Sequence, residues 1–352
     1  MSNLEPIGCL TIDTSVGKIT GDVLELPNGK QVARFLGIPF AKQPVGDLRF
    51  EPLQLLDGKI DTDEGPFIAI KKGPSAFQAQ DSYLATPFPM SEECIHMGIW
   101  VPLNGEIQNE PGKILDQKLP VMFNIHGGAF VLGSGDEACY DMTHFAANHN
   151  AIGVSFNYRL NFFGFISIPG AIAENLGLLD QLFALKWTHE NIGSFGGDQN
   201  NITLFGCSAG GASVHFHMAN AESTPYFKRG IAISGVLNKE WCLTSRAEQK
   251  KKVTKLLNKL GCPKSSTNEQ KKQFLKSVTA EQIVNCYPTE LSLTGLQFGP
   301  VDVFESDNIS RDFISKKPFL IGICVDEATM FADVMFVRKD TTSQTNSMQD
   351  IL

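Results

Sequence analysis

No stretch of the sequence approaches the ~20 consecutive apolar residues of a membrane-spanning helix, so no membrane span is expected. Its eight cysteines never fall as C-x-x-C and keep no regular spacing, which excludes a zinc ribbon and gives no sign of a disulfide scaffold. Buried thiols in a reducing compartment are the expectation. Positive charge is in the minority: 30 Lys and Arg against 38 Asp and Glu leave a formal net charge of -8. The short basic clusters Lys250 to Lys252 and Lys271-Lys272 lie in a stretch from Ser245 to Val278 that reads as helical, where a solvated helix face accounts for them. No nucleic-acid partner is expected. The opening Met-Ser-Asn-Leu-Glu-Pro has neither the basic nor the apolar segment of a leader peptide, so a soluble, unexported chain is expected. Internal repeats and low-complexity segments are lacking too.

What is present is enough for one large core: 352 residues, 42% of them hydrophobic. Residues 8 to 36 alternate β-type runs, Cys9 to Ile12, Gly21 to Leu26 and Gln31 to Leu36, around a Pro27-Asn28-Gly29 turn, the pattern of an antiparallel meander. The Pro- and Gly-rich segment Gly37 to Phe50 is expected to be a fixed surface loop. From Leu119 the pattern changes. Val121 to Ile125, Ala151 to Phe156, Ile202 to Phe205, Gly230 to Ile233 and Phe319 to Ile323 read as buried strands, with helical periodicity over Leu178 to Ile192 and a capping box, Ser245-Arg246-Ala247-Glu248, opening a helix toward Leu260. Strands separated by helices predict an α/β fold around a mostly parallel central sheet. The expected organisation is a single domain over residues 1–338 followed by a disordered tail over 339–352.

The chemistry begins at Gly206-Cys207-Ser208-Ala209-Gly210, a G-x-S-x-G pattern between an apolar strand and a run of small, helix-compatible residues. Such a sharp strand-to-helix turn would hold Ser208 at its tip, with the N-terminus of a helix behind it. A second glycine-rich turn, His126-Gly127-Gly128-Ala129-Phe130, follows the strand ending at Ile125, about 80 residues earlier. In α/β hydrolases a loop in this position supplies oxyanion N–H donors.

With both turns in place the chain resembles the type B carboxylesterases, the family that includes cholinesterases and neuroligins. The resemblance runs from about Gly8 to Phe331. It is carried by Gly37 to Phe50, Ser91 to Pro102, the His126 loop, Asn157-Tyr158-Arg159-Leu160, Asn175 to Gln181, Asn191 to Asp198, the Ser208 turn and Ile321-Gly322-Ile323-Cys324-Val325-Asp326-Glu327. It implies an α/β-hydrolase fold, Ser208 as nucleophile, Glu327 as the triad acid, and an oxyanion hole from the N–H groups of Gly128, Ala129 and Ala209. It places Trp241 where the family shapes its acyl pocket. The activity implied is hydrolysis of a small-molecule carboxylic ester through an acyl-serine, with no metal and no cofactor.

Departures from the family refine this. No tryptophan lies between Phe77 and Glu93, where cholinesterases carry one for a cationic choline head, so a general carboxylesterase is expected. Cys207 replaces the glutamate that commonly precedes the serine, and Ala328 the usual glycine after the acid. Cys94 and Cys262 lack the partners that secreted relatives place near Pro74 to Gln78 and near Phe274, which implies a cytoplasmic setting. The seven histidines, at 96, 126, 144, 149, 189, 215 and 217, all precede Glu327, whereas the fold orders its triad as nucleophile, acid, histidine. His215 and His217, behind the serine, are expected to be structural. A truncated esterase, inactive as it stands, is therefore one expectation, since loss of the triad histidine lowers turnover by ~10⁶. A non-catalytic binding protein of the same fold is a second, and a non-functional truncated product a third.

Overall fold

The computed structural model describes residues 4–78, 89–103, 117–237, 242–286, 298–301 and 316–327. Its frame is a ten-stranded sheet. Nine strands carry it: β1 (Pro6–Thr14), β2 (Gly17–Glu25), β3 (Gln31–Pro39), β4 (His96–Leu103), β5 (Leu119–Ile125), β6 (Ile152–Phe156), β7 (Gly197–Cys207), β8 (Arg229–Ile233) and β9 (Phe319–Gly322). The tenth, the two-residue strand Phe67–Ile68, pairs with β2. Across the sheet the order is β1-β2-β3-β4-β6-β5-β7-β8-β9. β1 to β4 and the β4·β6 pair are antiparallel, while β6·β5, β5·β7, β7·β8 and β8·β9 are parallel.

The expected meander is present, with longer strands than the apolar runs alone mark. Leu26 N–H donates to Lys30 O and Gly29 N–H to Leu26 O, both at 2.8 Å, closing the Pro27-Asn28-Gly29 turn. β4 joins this antiparallel half to the parallel half, and every one of its residues is buried. A strand covered on both faces has no alternation to betray it, and Pro102 further disguises it as loop. β7 begins five residues before its apolar core because Gly197 pairs with Leu119. Tertiary pairing thereby recruits the polar Asp198 to Asn201, whose own propensity favours turns.

Seven α-helices are described: α1 (Thr143–His149), α2 (Asn161–Phe165), α3 (Leu176–Asn191), α4 (Ala209–Ala219), α5 (Arg246–Leu260), α6 (Asn268–Ser277) and α7 (Ala280–Asn285). Ser245 caps α5 by accepting the Glu248 N–H at 3.2 Å. The Glu248 side chain does not reach back but pairs with Lys252 at 3.4 Å, so the capping box is half built. The helical stretch from Ser245 to Val278 is divided rather than continuous. Gly261, at φ 84°, ends α5 in the left-handed conformation, Pro263 follows, and Thr267 with Gln270 opens α6 through a complete capping box.

α3 is tied to the sheet through a buried ion pair. Arg159, just beyond β6, donates to both Asp180 oxygens at 2.7 and 2.6 Å and to Glu51 O at 2.8 Å, while its own N–H reaches Asp180 Oδ2 at 3.1 Å. At the far side, among the described residues, β9 is the edge strand, and Leu320, Ile321, Ile323 and Val325 stand exposed there. No helix among the described residues is long and apolar enough to cross a membrane. The tail 339–352 lies outside the described residues.

Candidate active site

The parallel strands β5, β7, β8 and β9 all point their C-terminal ends the same way, and that end is where an open α/β sheet presents its chemistry. Between β7 and α4 stands Ser208, at φ 58° and ψ -122°, a conformation sparsely populated for any residue with a β-carbon. Neighbours hold it there: Ser208 N–H donates to Ile233 O at 2.8 Å and Ala212 N–H to Ser208 O at 3.0 Å. The turn is tight enough that a β-carbon at Gly210 would stand 2.1 Å from Ile125 O, which is why that position of the motif is glycine. Ser208 does not cap its own helix, and its half-buried hydroxyl has no partner among the described residues.

The His126 loop packs directly on this turn. A β-carbon at Gly127 would lie 2.7 Å from Cys207 O and 3.5 Å from Ser208 Cβ, so only glycine lets the two approach. Its backbone turns through three consecutive positive φ values, 109° at Gly128, 55° at Ala129 and 62° at Phe130. Each peptide is anchored by its carbonyl. Gly127 O accepts from His126 Nδ1 at 2.8 Å, and Gly128 O accepts from Val131 N–H and Leu132 N–H, each at 3.0 Å. In a trans peptide the N–H points opposite the C=O. The N–H groups of Gly128 and Ala129 are therefore turned away from those anchors, and they and the Ala209 N–H at the start of α4 have no acceptor among the described residues.

His126 serves as a fixed prop. Its ring stacks on Tyr158 with centroids 4.4 Å apart, and burial pushes its pKa down to about 4, so it is neutral with the proton on Nδ1. The segment beyond is pinned as well. Gln78 exchanges two hydrogen bonds with Gly133, at 2.8 and 3.0 Å, and Asn157 Oδ1 accepts from Ser134 Oγ at 3.0 Å and Gly135 N–H at 2.8 Å. Asn157 lies within a family-like motif, but its role comes from bonds that no local pattern announces.

Glu327 lies five residues beyond β9. Its Oε2 accepts from Ser234 Oγ and from Cys324 N–H, both at 2.8 Å. These bonds, the Ser234 one foremost, hold the exposed carboxyl below the usual carboxylate range. Ser234 follows β8 at φ 51° and donates its N–H to Gly322 O at 2.7 Å. The next residue, Gly235, lies against the Ser208 carbonyl. The structure thus brings Ser208, the 126–130 loop and Glu327 to one end of adjoining strands, and adds Ser234, which no motif of the sequence marks.

Cys207, exposed beside the serine, has its thiol pushed up by partial burial and by nearby Cys324 and Glu327. Trp241 and Ala328 lie outside the described residues. His217 is fully buried between Ser223 Oγ at 2.9 Å and Gln181 Oε1 at 3.2 Å, its pKa lowered by burial to about 3. His215 Nδ1 accepts the Leu237 N–H at 3.1 Å. Both are committed to packing. Among the described residues no histidine bonds Ser208 or Glu327, and no group of three or more His, Cys, Asp or Glu is placed to hold a metal ion.

The model of the carboxylesterase family matches residues 9–351. Among similar proteins, a carboxylic ester hydrolase of Bombus ignitus is 40% identical over 267 residues, 73% of this chain and 44% of that protein. Venom carboxylesterase-6 of Apis mellifera is 38% identical over 323 residues, 88% of this chain and 53% of its own length. An acetylcholinesterase of Electrophorus electricus is 36% identical over 269 residues, 72% of this chain and 40% of its own. The solved structure of a PNB esterase superposes with a TM-score of 0.75 at 30% identity, covering 97% of this chain and 68% of that one, which gives the chain an α/β-hydrolase fold. The chain spans about half the length of the curated relatives it matches.

Proposed function

The chain belongs to the carboxylesterase family, and on that premise we propose that it carries the nucleophile, oxyanion hole and acid of a serine carboxylic ester hydrolase. Ser208 attacks the ester carbonyl. The Gly128, Ala129 and Ala209 N–H groups receive the developing oxyanion, the alcohol departs, and water releases the acid from the acyl-serine. Glu327 orients the imidazole that takes the serine proton; no histidine follows Glu327 in these 352 residues. The observation that carries the reading is the strained Ser208 conformation beside two loop N–H groups that have no acceptor among the described residues.

A neutral ester is the proposed substrate. Cys207 places a thiol where relatives commonly place a carboxylate, which removes the attraction for a cationic alcohol. A reducing, cytoplasmic setting belongs to the same proposal, because Cys94 lines one small cavity with Ala76 and Phe77 rather than with a second cysteine. A form extended past Leu352 is expected to hydrolyse short-chain aryl esters, and Ser208→Ala to abolish it; equal rates for the two would sink the reading. The second reading is a binding protein that keeps the fold without turnover. Absence of any acyl-serine in both forms, with an intact fold, would support it.

A further inference from the structure

Tyr140 ends a single 3₁₀ turn, Ala138–Tyr140, outside every motif considered so far. Its hydroxyl oxygen accepts the Gly127 N–H at 3.2 Å. The carbonyl of the same peptide, His126 O, accepts from Tyr158 Oη at 3.0 Å. One peptide plane is therefore held at both ends by two tyrosine hydroxyls that reach it from different segments. We infer that Tyr140 is a positioning residue of the oxyanion hole: by accepting the Gly127 N–H it fixes the rotation of the peptide that leads into Gly128 and Ala129. The inference rests on the esterase reading of the Ser208 site.

The physical need for such a clamp is local. A planar peptide held at its carbonyl alone still swings about that bond, and a second bond on the opposite edge removes the swing. Gly127 and Gly128 offer little torsional resistance of their own, so the direction of the Gly128 N–H depends on outside anchors. Tyr158 is fully buried, and its hydroxyl is locked among core groups. Tyr140 is only half-buried and lies within electrostatic reach of Cys207, which places its hydroxyl on the side of the loop that meets the nucleophile turn. Burial and its surroundings push its pKa up to about 12, so the acceptor stays neutral through the working range.

A misaimed donor weakens the transition state while leaving ester binding alone. A misplacement of about 1 Å can lower a rate by ~100-fold, and losing an oxyanion donor altogether by ~10² to 10³. A residue that merely fills space would instead change stability, or binding and rate together.

The test compares the form extended past Leu352 with its Tyr140→Phe variant, which keeps the ring and removes only the hydroxyl. Folding is checked by melting midpoint, acylation by single-turnover reaction with an aryl ester, and the Gly127 amide by hydrogen exchange. Expected are exchange at Gly127 faster by ~10-fold or more, acylation slower by about 10- to 100-fold, and an ester dissociation constant within about twofold of wild type. Tyr140→His, which keeps an acceptor nitrogen, restores part of the acylation rate and serves in its place should the phenylalanine variant not fold. Unchanged Gly127 exchange in Tyr140→Phe overturns the clamp whatever the activity, and so does an unchanged acylation rate. A wild-type chain that forms no acyl-serine even when extended past Leu352 overturns the esterase reading instead, and leaves the exchange result to decide the clamp.

Discussion

Ser234 donates its hydroxyl to Glu327 Oε2 across 2.8 Å while its own N–H binds Gly322 O, so one residue ties the carboxylate to the strand from which it emerges. Because Glu327 is exposed, the bond is expected to act on its titration more than on stability. Ser234→Ala should raise the Glu327 pKa toward its ordinary value of 4.5. The sign follows from the depressed folded value. Any stabilisation from the ionised carboxyl is present above that ordinary value and is lost as pH falls through the folded one. Carboxyl-resolved NMR titration checks it, and an unmoved Glu327 resonance would refute it.

The Ser208 backbone sits at φ 58°, ψ -122°, which is expected to cost the fold about 1–3 kcal/mol. Ser208→Gly should recover part of that and raise the urea midpoint, while Ser208→Ala should leave it nearly unchanged. Both should lose acylation. A glycine variant no more stable than the alanine one would show that the turn is unstrained.

Asp180 has both oxygens engaged by the buried Arg159. Asp180→Asn strands a buried guanidinium, and breaking such a pair typically destabilises by about 3–5 kcal/mol. Urea unfolding should show it, and a loss below about 1 kcal/mol would mean that water reaches Arg159.

His126 and His217 are held neutral by burial, with pKa values lowered to about 4 and about 3. The unfolded chain binds protons at these positions from an ordinary value of 6.5 downward, whereas the folded chain does not. Stability is therefore expected to be undiminished by them above pH 6.5 and to fall as pH drops toward the folded values. Urea midpoints across that range should decline, and His217→Gln, which retains a polar amide for Ser223 and Gln181, should flatten the decline. An equal slope in the variant would locate the acid sensitivity elsewhere.

Much of this was written in local pattern. The strand–turn–helix at Ser208, the glycine-rich turn after β5 and the meander are each set by contiguous residues with strong backbone preferences. β4 escaped because burial on both faces erases period-two alternation. Ser234, Tyr140, Asn157 and Gln78 escaped for another reason: their roles are hydrogen bonds to distant segments, and an isolated serine or tyrosine carries no trace of the partner it will meet. The half-formed cap at Ser245 shows the converse, a motif present in letters whose second bond Lys252 draws away.

The donors at Gly128, Ala129 and Ala209 are main-chain groups, aimed by carbonyls that their own neighbours hold. Proline aside, no exchange of the side chains at those positions can delete them unless it also rebuilds the loop. The proposed anion receptor, made this way, is insulated from ordinary substitution, whereas a nucleophile, an acid or a base is each one codon from loss. In a lineage drifting away from turnover, the receptor would be the last part of the machinery to go, and a protein that had lost its chemistry would still hold a shaped seat for an oxyanion or a carboxylate.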